Sequence, residues 1–371
     1  MDEQQNHVKI AKLCFVGALS VGALNVLVWW MAVNSSGSGG PWLVLFSVLA
    51  LLQLILGVVT IVQMVRAKKV VRRKALFIAG GVLTLLLASS GWLTGIFLAA
   101  LGAGGGWGRP LRVRGRQIHP ELREGSEWAM GPRPSADGLD AATRRALEAL
   151  WLHDAQKEHA SVPAFARISW LLAAVGAPPR LHRWAQQCAL EEIEHTERCF
   201  ALAAGYAARS HTVEPMPDLL LEGIGKIDDP VHCLVYESIT DGCQLEGFNA
   251  DVAARCAEVC QEPVTRQVLI QIAKDEACHA EFSLALLNWA LEKHPTRAQA
   301  AMEQASKDLE KYPRPTASSF KVRHLVNAAN PRELRHHGRL ADSEWAEIWQ
   351  QRLNKTTDLL SASSPACRLT A

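Results

Sequence analysis

The sequence lacks a Cys-x-x-Cys pair, a phosphate-binding glycine loop and a strong excess of charge of either sign. Without cysteines at that spacing, the sequence does not support a rubredoxin-type iron site or a thioredoxin-like redox centre. The glycine-rich stretch 102–108 does not match a nucleotide-binding motif. A net charge of +2, with no basic stripe interleaved with aromatics, predicts no nucleic-acid partner. The candidate functional residues are therefore the carboxylates and histidines.

Charged residues are also missing from three apolar runs, at about 13–33, 42–65 and 75–102. Each run is long enough to span a bilayer as a helix. The first has no small-x-small cleavage site and is followed by two more, so it is not a signal peptide. The sequence thus predicts a membrane anchor with three transmembrane helices over residues 1–106, and the lipid bilayer as a partner.

The loop at 66–74 sets the predicted topology. It is rich in lysine and arginine, whereas the loop at 34–41 carries no charge. The positive-inside rule places the basic loop in the cytoplasm of a bacterial multi-pass inner-membrane protein, and the remaining chain in the periplasm. Arginines soon after the third run favour a cytoplasmic location instead, and both sides stay open. These arginines are Arg109, Arg112, Arg114 and Arg116.

Two copies of Glu-x-x-His, at 192–195 and 276–279, are each preceded by a lone glutamate, Glu158 and Glu246. The separation is 34 residues in the first case (158 to 192) and 30 in the second (246 to 276). Residues three apart share one face of a helix, so each pair can direct a carboxylate and an imidazole to one point. Antiparallel helices would bring each lone glutamate level with its pair.

Turn signals lie halfway between each lone glutamate and its pair. The first midpoint, at 175–176, is followed by Pro178 and Pro179, and the second, at 261–262, by Pro263. Glycine and proline are the strongest breakers of helical pattern, so both midpoints predict helical hairpins. A third copy of the motif, at 333–336, has no such partner, and we interpret it as coincidence.

This pattern resembles the ligand set of the ferritin-like superfamily, which includes ferritins, rubrerythrins and di-iron oxygenases and oxidases. The segment 275–281 resembles the Asp-Glu-x-x-His segment of that superfamily, and 158–165 resembles bacterial ferritin-like domain proteins. The resemblance implies an all-α fold, with a ferritin-like four-helix bundle over 140–296. Residues 107–139 would then be a linker, and 297–371 a helical extension.

The resemblance also implies roles for individual residues. Lone glutamates would each serve one metal ion, the motif glutamates would bridge, and the histidines would cap. Asp275 is expected to hydrogen bond a ligand histidine, and Glu191 takes the corresponding place before the other motif. Such donors suit two iron ions, or manganese, or a mixed iron and manganese pair. The predicted metal ligands are Glu158, Glu192, His195, Glu246, Glu276 and His279.

Two functions are consistent with this ligand set. The first is a membrane-anchored oxidoreductase that activates oxygen or peroxide and draws on an electron donor of unknown kind. The alternative is a ferroxidase, or a metal-sequestering or sensing protein, without an organic substrate. The pattern selects neither a substrate nor an oligomeric state.

Overall fold

The computed structural model describes residues 108–113, 116–207, 209–219 and 227–363, with scattered positions between 10 and 63. The chain divides into two compact units, residues 1–100 and residues 101–371. The described part of the second unit is mostly helical and contains four short strands.

No helix among the described residues is both long enough and apolar enough to cross a membrane. This finding overturns the predicted N-terminal transmembrane helices and, with them, the predicted multi-pass inner-membrane location. A span needs about 20 consecutive apolar residues in one helix, and none of the described helices provides such a run. Most of the three apolar runs lies outside the described residues.

The first helical hairpin consists of α1, Ala141–Ala174, and α2, Pro179–Tyr206. The carboxylate of Asp140 caps α1 by accepting hydrogen bonds from two backbone amides of its first turn. Gly176 adopts a φ of +67° in the turn, and Pro179 begins α2 where no backbone donor is needed. The observed turn coincides with the predicted one.

The second hairpin has a first arm made of three consecutive helical segments. These are α3, Pro230–Glu237, a π-helix, Ser238–Glu246, and α4, Gly247–Val259. The return arm is α5, Pro263–Lys293, whose first turn is capped by the carboxylate of Glu262. The turn again falls at the predicted proline. Nothing in the sequence pattern predicted the π-helix, a conformation found frequently at functional sites.

The four arms pack side by side, with α2 against α5, and enclose two apolar clusters. Along each arm, the predicted ligand positions lie between these two clusters. Apolar side chains therefore exclude water from the site at both ends of the bundle. The largest fully buried side chains of the first cluster are Trp151, Phe200 and Phe248, and those of the second are Phe165 and Phe282.

The predicted linker at 107–139 contains three of the four strands. β1, Arg112–Val113, pairs antiparallel with β2, Arg116–Gln117. β3, Leu122–Glu124, pairs antiparallel with β4, His211–Val213, which lies in the connection between the two hairpins. The pairing of β3 with β4 therefore joins this segment to the long connection.

The C-terminal region forms four further helices. They are α6, Pro295–Leu309, α7, Phe320–Ala328, α8, Pro331–His336, and α9, Asp342–Ser363. Two tryptophans of α9 pack edge-on against Phe248 in the first apolar cluster. The helical extension is thus part of the folded unit.

Candidate metal centre

The six predicted ligands lie together in two overlapping groups. Within each group, the possible ligand atoms all lie within 4.8 Å of one another. Glu192 and Glu276 belong to both groups, and every member is buried. The first group is completed by Glu158 and His195, and the second by Glu246 and His279.

The carboxylates of this cluster have unused hydrogen-bonding capacity. Within the described part of the chain, neither oxygen of Glu158, Glu192 or Glu276 has a hydrogen-bond partner, and Nδ1 of His195 also has none. Burying unpaired carboxylates is costly, and several at one level repel each other. Divalent cations would remove both costs, so the donor set fits bound metal ions.

In the metal-free cluster, the pKa values of the carboxylates shift in opposite directions. Burial and a neighbouring carboxylate raise the pKa of Glu158 and of Glu276 well above the usual range. Burial alone would also raise the pKa of Glu192, but its contacts with both histidines lower that pKa below the usual range. Some acids therefore hold protons in the metal-free protein, and bound metal ions must displace them.

His195 is oriented by a carboxylate of the opposite hairpin. Its Nε2 lies 3.2 Å from Oδ2 of Asp275. Because an ionised carboxylate only accepts hydrogen bonds, Nε2 donates, and Nδ1 faces Glu158 at 3.9 Å and Glu192 at 3.7 Å. Burial would raise the pKa of Asp275, but His195 and the Gln271 amide, 2.8 Å away, lower it below its usual value.

His279 lies between carboxylates on both edges of its ring. Its Nε2 is 2.9 Å from Glu191, and its Nδ1 is 3.1 Å from Glu246. Burial would lower the pKa of His279, but the carboxylate contacts, first that with Glu191, raise it well above the usual value. These contacts favour the protonated ring in the metal-free protein, and a metal ion would replace the Nδ1 proton. The buried thiol of Cys188 lies on the Glu191 side.

Gly108 brings the backbone close to one predicted ligand. A Cβ at this position would lie 2.9 Å from Oε2 of Glu158 and 2.5 Å from Oγ of Ser161. Its φ of +86° also favours glycine. Only a glycine allows the chain to cover Glu158 in this way.

The next residue, Arg109, is a buried cation. Its guanidinium lies 5.2 Å from the centre of the Phe165 ring and donates a hydrogen bond to the carbonyl oxygen of Glu237 at 3.0 Å. Phe165 in turn packs edge-on against His279, with ring centroids 5.1 Å apart. No sequence signal predicted this role, because a non-helical segment carries no helical periodicity.

A groove of about 490 Å³ runs between α2 and α5, and His195 contributes to its lining. Arg198, Gln271 and Ile272 contribute to its lining. A volume of this size is within the range of small-molecule sites. The groove is therefore a route by which a small molecule can approach the cluster.

The third Glu-x-x-His copy lies apart from both groups. Glu333 and His336 are in α8, partly exposed, with 3.7 Å between Oε2 and Nδ1. Neither belongs to a cluster that could hold a metal ion among the described residues. The adjacent His337 is buried, and its Nδ1 lies 2.8 Å from the hydroxyl of Tyr206.

Comparisons of the chain with protein-family models, with curated proteins and with solved structures gave no match. The functional assignment therefore depends on the site itself. Buried glutamate and histidine clusters that could hold a metal ion are what the structure establishes.

Proposed function

We propose that the protein is a ferritin-like di-iron oxidoreductase, or its di-manganese or mixed-metal equivalent, that activates oxygen or peroxide. The observation that carries this proposal is the sharing of Glu192 and Glu276 between two ligand groups. Two ligand groups with two common carboxylates suit two ions bridged by those carboxylates, as in di-metal carboxylate bundles.

In this proposal the remaining ligands divide evenly. Glu158 and His195 would bind one ion, and Glu246 and His279 the other, with each imidazole using Nδ1. Carboxylate oxygens with one imidazole per ion suit iron and manganese. The bound metal pair would supply the electrons for a two-electron reduction of oxygen or peroxide.

The protein's own groups would prepare the site for that chemistry. Asp275 and Glu191 keep Nε2 of each histidine protonated and so present Nδ1 to the cluster. Apolar side chains on both sides exclude water. The groove at His195 supports access by a small substrate or reductant.

A second candidate function is ferroxidase activity or metal handling, with iron itself as the substrate. It is favoured by carboxylates on the solvent side of the cluster. Glu191 is partly exposed and contacts His279, and the exposed Glu194 lines the groove. Negative charge at such positions attracts cations toward the buried ligands.

Metal loading tests the shared part of both proposals. We expect anaerobic loading with ferrous iron to give about two ions per chain, as in other di-metal bundles. Glu192→Gln should reduce this number sharply, while Glu333→Gln, in the unused copy of the motif, should leave it unchanged. Fewer than about one ion per chain in the unmodified protein would contradict both proposals.

Oxygen consumption then separates the two functions. The iron-loaded protein would be exposed to oxygen with and without an added electron donor such as ascorbate. Continued uptake that depends on the donor and is lost in Glu192→Gln supports the oxidoreductase. Uptake that ends once the added iron is oxidised, regardless of donor, favours the ferroxidase.

A further inference from the structure

A second cavity, of about 320 Å³, lies outside the metal groups. Three parts of the chain line it: residues 117–121, one face of α1, and the first residues of α7. The α1 wall includes Lys157, which directly precedes Glu158 in sequence. Neither proposed function uses this cavity.

A buried hydroxyl group in its lining has no partner. Ser319 precedes α7 and is only 7% exposed. Its Oγ makes no hydrogen bond within the described part of the chain, although a serine at this position ordinarily accepts one from its own helix. Leaving such a group unsatisfied is costly, so the hydroxyl indicates a ligand that would bind it.

Positive charge surrounds the same space. The Nδ1 atom of His119 is buried and also lacks a hydrogen-bond partner among the described residues. Burial, together with the nearby ammonium groups of Lys157 and Lys321, lowers the pKa of His119 to about 4. The acidic residue of the lining, Glu121, is exposed at the rim. The cavity therefore presents cations and hydrogen-bond donors.

We propose that this cavity binds a phosphate group, either as the free ion or as the monoester of a small molecule. A phosphate offers several acceptor oxygens and negative charge. The cavity supplies the Ser319 hydroxyl, the lysine ammonium groups and the amino-terminal end of α7, where the helix dipole favours anions. Its volume is at the low end for ligand sites, which suits a phosphate with a short organic part.

Calorimetry on the metal-free, full-length protein tests this proposal. Removing metal matters because phosphate would otherwise bind to iron at the other site. We expect saturable binding of inorganic phosphate or of glycerol 3-phosphate, and no binding of glycerol. Ser319→Ala and Lys321→Gln should each weaken binding about tenfold, as expected for loss of one hydrogen bond to a charged group. Lys307→Gln, which removes an exposed lysine of α6, should have no effect.

The two ligands distinguish the source of the phosphate. Tighter binding of glycerol 3-phosphate assigns the site to a monoester, and equal or tighter binding of inorganic phosphate assigns it to the free ion. The proposal is overturned if neither ligand binds at millimolar concentration, or if both variants bind as the unmodified protein does. Ser319→Ala removes a hydroxyl that has no hydrogen-bond partner among the described residues, so the fold should survive. Iron loading of the same preparation reports separately on the metal centre.

Discussion

Asp275 of α5 binds Nε2 of His195 of α2 across the two hairpins, at 3.2 Å. Glu191 of α2 makes the reciprocal contact with Nε2 of His279 of α5, at 2.9 Å. Each of these acids directly precedes a glutamate common to both ligand groups. The orientation of each histidine is therefore set by the hairpin to which it does not belong.

Neutralising either acid should weaken metal binding. Asp275→Asn and Glu191→Gln keep the shape of the side chain but remove the charge that orients and polarises each imidazole. Loss of such partners typically costs about 10- to 100-fold in metal affinity. Competition with a chelator for manganese would measure the change. Glu292→Gln, on an exposed carboxylate near the end of α5, is the control. Unchanged affinity in both variants would contradict the positioning role.

Gly108→Ala should disturb the site more than Gly138→Ala does. Both glycines have positive φ, of +86° and +77°, so an alanine strains the backbone at either position. A Cβ at 138 meets nothing within 4 Å, whereas a Cβ at 108 would approach Glu158. We expect Gly108→Ala to cost about 1–3 kcal/mol more in unfolding free energy, and also to weaken metal binding. Urea unfolding and chelator competition would measure these effects, and equal behaviour of the two variants would refute the close approach.

Arg339→Ala should be far more destabilising than Arg314→Ala. Arg339 binds Asp154 at 2.7 Å, with both side chains nearly buried, and lies 3.8 Å from the centre of the Trp151 ring. Removing it would leave a buried carboxylate without this cation, a loss of about 3–5 kcal/mol. Arg314 pairs with Asp342 at 2.8 Å in a much more exposed position, where a pair contributes about 0–1 kcal/mol. Urea unfolding of both variants would measure the difference, and similar losses would contradict it.

The metal-free protein should lose stability as the pH rises. Folded-state pKa values are raised above 4.5 for Glu158 and Glu276, and above 6.5 for His195 and His279. The folded state therefore binds these protons more tightly than the unfolded chain does. Their stabilisation is complete below those ordinary values and is lost as the pH rises through the raised ones. Urea midpoints in the presence of a chelator should therefore fall as the pH rises above the ordinary pKa values of glutamate and histidine.

Bound metal should remove this trend, because metal ions replace the protons on the ligands. Saturating manganese is the matched condition for the same titration. Glu192 has the opposite shift, so its contribution is present above 4.5 and is lost only as the pH falls through its lowered folded value. If the urea midpoint rose with pH in the presence of the chelator, that result would contradict the inference that the metal-free cluster is protonated.

Some sequence predictions matched the structure because they depended on local signals. Helical periodicity and prolines at the turns predicted both hairpins, and hairpin symmetry placed Glu158 and Glu246 level with the paired motifs. The same symmetry separated the copy at 333–336, which lies apart from the cluster. The membrane prediction was wrong. It relied on the length of the apolar runs and their lack of charge, and no described helix meets the requirement for a span.

The sequence by itself determined which residues can share a face of a helix and which turns bring them level, because spacing and turn chemistry act over short distances along the chain. Only the tertiary structure decided that Glu192 and Glu276 are common to both groups. It also decided that the acids bind histidines of the opposite hairpin, and that Gly108 covers Glu158. These relationships join residues up to 88 positions apart, and such contacts depend on how whole helices pack, which spacing along the chain does not determine.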